Sequence, residues 1–410
     1  MADAAPNSQA QDSTVRGRGG AYNPAAGYLN AEARRTLASP TFGTAPFSVP
    51  VPRDTVLKRM GLKLILQTQV TYGSGSPATS HQGVFDRICP RVELNVNGSR
   101  IVKSVRPHLV RMHNMIQNAE HPRRAYYFDS SAPTVTRAQR EWVAGVVAYP
   151  ATTQYMLFNE MIELSFENPW GYAGSRSVSE LDIRDVASCD MWFYWGAISN
   201  LQEDGVGASV TYSTSPTVTV IPQIIENRAR PRPQAGDVLF DYVETSFAQT
   251  FTGQANNQQM QLQTGNYLMG LGLYVNNGDT NLTPADNLLQ QISLLINGAS
   301  AIQGPIGNMA DLQDENQVRF GVSDDMGLAD YASSIASTAN VHPLQGFAMM
   351  NLIRNGDWNT AINTSRQAGV DTVKLQFNTP SSSGTDAATY TNPLQVTVHT
   401  HEMRPFAYTR

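Results

Sequence analysis

The chain has 410 residues and a formal net charge of −5, and charged residues make up only 15% of it. The length suffices for two or three domains with proper cores. The acidic balance excludes a protein whose main work is wrapping nucleic acid, which needs a basic surface.

Met1–Gln9 shows neither a basic nor an apolar signal region, so no secretory leader is expected and synthesis in the cytosol is. Residues 1–45 lack strand periodicity and are rich in Gly, Pro, Ala and Ser, as in a flexible arm. Within it the composition predicts one short helix over Tyr28–Leu37, with Asn30 as cap and Ala31, Ala33 and Leu37 as helix formers. Arg16, Arg18, Arg34 and Arg35 make the arm basic inside an acidic protein. Such an arm suits an acidic partner, whether anionic lipid, packaged nucleic acid or a neighbouring subunit.

Residues 46–230 alternate strand-like runs with turns: Leu62–Val70, a hairpin at Asn97-Gly98, Met156–Phe166, Met191–Trp195 and Thr217–Ile225. Pro107–Asn118 carries its apolar residues at helical spacing. Arg228–Gly236, with its prolines, reads as a linker. The pattern then restarts over residues 231–410, with strands at Val238–Phe251, Met260–Val275, Phe347–Ile353, Thr372–Phe377 and Gln395–Thr400. A short helix is expected at Tyr331–Ala339 and an exposed loop tip at Ser381–Asp386. No apolar run of about 18 residues exists to span a membrane.

The chain repeats itself three times, in a consistent order. Val92–Ser99 matches Ile292–Ala299, each an alternating aliphatic strand reaching Asn-Gly, at Asn97-Gly98 and Asn297-Gly298. Met60–Leu64 is echoed by Met269–Leu273, and Pro216–Val220 by Pro393–Val398. Varying spacing between the pairs fits loops that change while strands persist. Many short strands without βαβ alternation predict an all-β protein: two tandem eight-stranded jelly-roll sandwiches with short helices in the loops.

Motifs for chemistry are missing. There is no phosphate loop, dinucleotide fingerprint, H-E-x-x-H or G-x-S-x-G. His399 and His401 share one strand face but Glu402 points the other way, so they read as a structural or interface pair. Asn276–Asp279 and Asp324-Asp325 offer oxygens without calcium-loop spacing, and Glu160 and Glu163 carry no glycosidase signature. Trp192, Phe193, Tyr194 and Trp195 form an aromatic strand, read as sandwich core. Cys89 and Cys189 are too few for a disulfide framework or a structural zinc site. Low charge, and 25 arginines among 29 basic residues, suit buried contacts between neighbours. No catalytic, cofactor-binding or metal residues are assigned.

The paired hairpins, the paired closing strands at Val218 and Val396 and the basic arm together resemble a double jelly-roll major capsid protein. That family builds tailless icosahedral, often membrane-containing phages such as tectiviruses and corticoviruses, and includes the adenovirus hexon. The resemblance runs from Phe47 to Arg404. It implies a homotrimer of pseudo-hexagonal outline, strands roughly perpendicular to the shell, loops forming towers outside, and the arm facing an internal membrane or the genome. Expected partners are other copies of itself, penton or minor capsid proteins and internal membrane lipids, without specific nucleic-acid recognition, in the virion after synthesis in the host cytoplasm. The alternative is a phage spike or a receptor- or carbohydrate-binding β-sandwich, which would cluster aromatics in loops. A cupin-like enzyme would need more converging histidines than His399 and His401. The other great capsid fold would need α/β alternation.

Overall fold

A computed structural model of the chain describes residues 32–72, 79–80, 84–118, 126–127, 154–170, 176–204, 210–212, 216–252, 255–277, 289–300, 307–321, 344, 346–353, 357–379 and 394–407. Sixteen strands carry the fold. In the first half they are β1 (Glu32–Thr36), β2 (Phe47–Pro50), β3 (Val56–Tyr72), β4 (Arg91–Val96), β5 (Arg100–Val105), β6 (Gln154–Ser165), β7 (Cys189–Tyr194) and β8 (Thr217–Asn227). In the second they are β9 (Val238–Phe251), β10 (Ala255–Gln261), β11 (Tyr267–Asn277), β12 (Gln290–Ile296), β13 (Ala299–Ser300), β14 (Phe347–Asn351), β15 (Val373–Thr379) and β16 (Leu394–Ala407).

The first half pairs as β1-β8-β3-β6 facing β2-β7-β4-β5, the second as β9-β16-β11-β14 facing β10-β15-β12-β13. Adding eight to each strand of the first half reproduces the second. Each half is therefore an eight-stranded jelly roll. All three sequence repeats fall on equivalent strands: β3 with β11, the β4–β5 hairpin with β12–β13, and β8 with β16.

Alternation builds the cores. On β3, Met60, Leu62, Leu64 and Leu66 turn inward against Val92, Leu94, Met191 and Phe193 of the opposite sheet. On β15, Val373, Leu375 and Phe377 do the same against Leu271, Leu273, Val396 and Val398. Both hairpins use left-handed backbone at each turn residue, φ 55° and 71° at Asn97-Gly98 and 49° and 81° at Asn297-Gly298, the type that continues strand twist. The two asparagines act alike. Asn97 Oδ1 accepts from the backbone of Ala187 and Ser188 just before β7, and Asn297 Oδ1 from Asp371 and Thr372 just before β15.

Two helices of twelve residues matter below: α1 (Pro107–Asn118), at the place its spacing predicts, and α2 (Met309–Phe320). The latter escaped the periodicity reading although Asn308 and Asp311 form a capping box and Gly321 closes the end at φ 66°. The helix expected at Tyr331–Ala339 and the loop tip at Ser381–Asp386 lie outside the described residues.

Two expectations are overturned. Residues 32–36, assigned to a helix over Tyr28–Leu37, form strand β1 antiparallel to β8, with Glu32 opposite Asn227 and Thr36 opposite Gln223. Ala and Arg favour a helix locally, but the open edge of β8 supplies backbone partners, and Leu37 enters the first core. Tertiary pairing overrides propensity. The run Met260–Val275, read as one strand, breaks into β10 and β11 at Gly265, whose φ of 114° no strand accommodates.

Candidate functional site

The two sandwiches meet along a seam. Strand β5 of the first pairs in parallel with β9 of the second, merging one sheet from each into a continuous sheet ordered β14-β11-β16-β9-β5-β4-β7-β2. The parallel register sets Lys103 against Glu244 and Ser104 against Thr245. Residues three apart on the regular strand β9 point to opposite faces, so Asp241 and Glu244 lie on opposite sides, where Arg100 and Lys103 respectively meet them.

On one face Arg100 grips Asp241 with two hydrogen bonds, Nε to Oδ2 at 2.7 Å, and Arg404 adds a third to Oδ2 at 3.0 Å. On the other, Lys103 Nζ donates to Glu244 Oε2 at 2.6 Å, both groups buried. Farther along, the Arg106 amide donates to Ser246 Oγ and its guanidinium to Asp86 and Thr397. A slip of one residue would turn every one of these charges to the wrong face. The register is therefore specified electrostatically as well as by pattern.

The face of β9 and β16 turned away from the second sandwich core is covered by the first half. Leu109, Met112, Met115 and Ile116 of α1, with Trp170, pack on Tyr242, Met269, Tyr274, Phe347, Met349 and Met403, a third apolar cluster distinct from the two sandwich cores. Gly270 makes room: a Cβ there would stand 2.4 Å from the Trp170 ring. A bulge between Leu268 and Gly270 turns Met269 to this cluster, unlike its counterpart Met60.

Within this apolar cover lies a polar knot. Besides Lys103, Glu244 is approached by His399 Nε2 at 3.3 Å and by the Tyr242 hydroxyl at 3.2 Å. A carboxylate only accepts, so Nε2 of His399 carries its proton toward Glu244 while Nδ1 lies 2.7 Å from Ser246 Oγ. The Tyr242 hydroxyl is 2.6 Å from His401 Nδ1, and His113 of α1 stacks on His401 with ring centroids 4.0 Å apart. Lys103 also sits over the Tyr242 ring at 3.9 Å. Burial pushes the Glu244 carboxyl up, but Lys103 and the two histidines overcome it and hold it well below the usual carboxylate range. Burial lowers His401 to about 4 and raises the Tyr242 phenol well above its ordinary value.

His113, Glu244 and His401 present ligand atoms within 4.8 Å of one another, the nearest approach to a metal set among the described residues. They do not fit one. The Lys103 ammonium occupies Glu244, and stacked imidazoles at 26° carry their in-plane lone pairs alongside each other rather than toward a shared point. The knot is suited to fixing two sandwiches together.

The other sequence candidates fall elsewhere. Arg16 and Arg18 lie outside the described residues. Arg34 is exposed on β1, whereas Arg35 is held between Asp54, bidentately, and Glu226 at 2.8 Å. Glu160 pairs with Arg111 of α1 and accepts from the Phe85 amide, and Glu163 pairs with Arg59. Asn276 is buried at the end of β11, and Asp279, Asp324 and Asp325 lie outside the described residues. On β7, Phe193 is in the first core and stacks on Trp195, which meets Phe42 edge-on at 5.3 Å. Sequence reasoning placed His399 and His401 together but missed His113, Lys103 and Glu244. For Lys103 and Glu244 the signal is the charge spacing Arg100-x-x-Lys103-x-x-Arg106 against Asp241-x-x-Glu244, and His113 has none.

No protein-family model matches the chain, and no curated protein matches it in sequence. Solved structures do match in shape. The major capsid protein of Sulfolobus turreted icosahedral virus superposes with a TM-score of 0.57 at 16% identity, over 91% of this chain and 96% of that one. A chain of the PBCV-1 virus capsid gives 0.52 at 12% identity, over 96% and 100%. The Faustovirus major capsid protein gives 0.50 at 9% identity, over 92% and 90%. The fold is a double jelly roll. The likeness extends over nearly the whole chain.

Proposed function

We propose that this chain is a major capsid protein, a structural subunit of an icosahedral virion shell with no catalytic role. The observation that carries the reading is the shared sheet across the seam. It turns two equivalent sandwiches into one rigid, wide building block. Three such blocks around an axis present six similar corners, so a homotrimer fills a pseudo-hexagonal lattice position that a single sandwich fills only as a hexamer. Low surface charge supplies contact area without strong salt-sensitive pairs, which keeps assembly reversible until closure.

In this reading the stretch ahead of β1, with Arg16 and Arg18, lies inside the particle against an anionic membrane or the packaged genome. Each basic residue near an anionic surface contributes about 1 kcal/mol, a useful but reversible attraction. Other copies of the chain, and penton or minor capsid proteins, are its protein partners. Light scattering of the purified chain should give the mass of three subunits, and negative-stain images of assembled material should show closed icosahedral shells. A stable monomer at micromolar concentration, with the fold intact, would overturn the proposal.

A further inference from the structure

The seam concentrates one residue type. Among the described residues the histidines are His108, His113, His399 and His401, and all four are buried at this joint. His108 and His113 come from α1 of the first half, His399 and His401 from β16 of the second. The two sandwich cores are apolar clusters that contain no histidine among their described residues. Neither ring nitrogen of His108, nor Nε2 of His113 or His401, has a hydrogen-bond partner among the described residues.

The charges around these rings are fixed. His401 and His113 face Glu244 and Tyr242 of β9, Lys103 of β5 and His399 of β16. His108 stands edge-on to Tyr274 of β11 and faces Asp86 and Arg87 of the short helix Val84–Ile88, and Arg106 and Arg111 around α1. A proton added at His113 or His401 therefore meets the Lys103 ammonium, while the one carboxylate facing that pair among the described residues, Glu244, is already engaged by Lys103 and His399. A proton added at His108 meets three guanidinium groups against one carboxylate.

The backbone link across the joint is short. Strands β5 and β9 share two register pairs, whereas β9 and β16 share fourteen. We propose that the seam is an acid-operated joint: protons taken up at His108, His113 and His401 part the two sandwiches along β5 and β9 while each sandwich keeps its own fold.

The sign follows from burial. Desolvation lowers His401 to about 4, His108 to about 3 and His113 well below its ordinary value, and opening restores them to about 6.5. A group whose closed-state value is lowered stabilises the closed form above its open-state value, and that stability drains as pH falls from about 6.5 toward 4. Glu244, also held low, adds to the loss below about 4.5. The open population should rise about tenfold per pH unit for each imidazole that takes up a proton.

Hydrogen exchange on the full chain from pH 7.5 to 4.5, corrected for the intrinsic pH dependence of exchange, tests this. Peptides from α1 and from the β5–β9 pair should lose protection along that slope, while β3 and β15, central in the two sandwiches, keep theirs. His113→Gln and His401→Gln should each flatten the slope by one proton. Loss of protection in β3, β15 and the seam at one common pH, or an unchanged seam down to pH 4.5, would overturn the proposal. The wild-type profile decides even if both variants misfold.

Discussion

Lys103 and Glu244 show what a buried charge does for this protein. Each side chain is shut off from water, and each is tolerable only because the other is there. Lys103→Met should leave Glu244 as an unpaired buried carboxylate and destabilise the chain by about 3–5 kcal/mol, read from the urea midpoint. Adding Glu244→Gln should recover much of that loss, because the remaining groups are then neutral. A single variant as stable as wild type would show that the pair is not the seam's specifying contact. Gly270 acts by absence. Gly270→Ala places a methyl where the Trp170 ring lies and should cost about 1–3 kcal/mol by overpacking, measured by thermal unfolding. Combining it with Trp170→Leu should cost less than the sum of the two single changes.

At the level of elements, the two Asn-Gly hairpins do more than reverse the chain. Each asparagine binds the entry of the neighbouring strand, so turn and strand are set together. Asn297→Ala removes three side-chain hydrogen bonds, two accepted by Oδ1 and one donated by Nδ2 to the Gly369 carbonyl, and forces alanine to φ 49°, a combined loss of about 2 kcal/mol in chemical denaturation. Asn97→Ala should cost a similar amount, and a neutral result at either site would deny the shared role. These hairpins were legible because alternation and Asn-Gly are local signals. So was α1, whose Leu109, Met112 and Ile116 follow one face. Strand β1 was not, since Ala33 to Arg35 favour a helix and only the distant edge of β8 makes them a strand. The same holds for the seam. A parallel pairing between residues 103 and 244 leaves no trace in periodicity, and His113 reaches His401 only because α1 folds across the second sandwich. Local patterns fix elements, while contacts between halves need the fold.

For the whole molecule, β1 marks where the described body of the chain begins. Residues 1–31 precede that strand, and from Glu32 the chain is part of the first sandwich. Deleting residues 1–31 should leave a folded trimer, because β1, Leu37 and the Arg35 contacts to Asp54 and Glu226 all remain. Shell assembly should fail or yield particles that have lost their contents, since the basic residues Arg16 and Arg18 go with the arm. Deleting residues 1–40 is a different operation. It uncovers the edge of β8, removes Leu37 from the core and takes the Arg35 contact from the buried Glu226. Burial of a leucine side chain contributes about 1.5–3 kcal/mol, and the lost ion pair adds to it, so the longer deletion should lower stability by at least that amount and favour aggregation through the bare edge. Light scattering and electron microscopy of the two truncations, side by side, separate these roles. Loss of the trimer in the shorter deletion would mean that the arm builds the capsomer itself, and its assignment to the particle interior would fall.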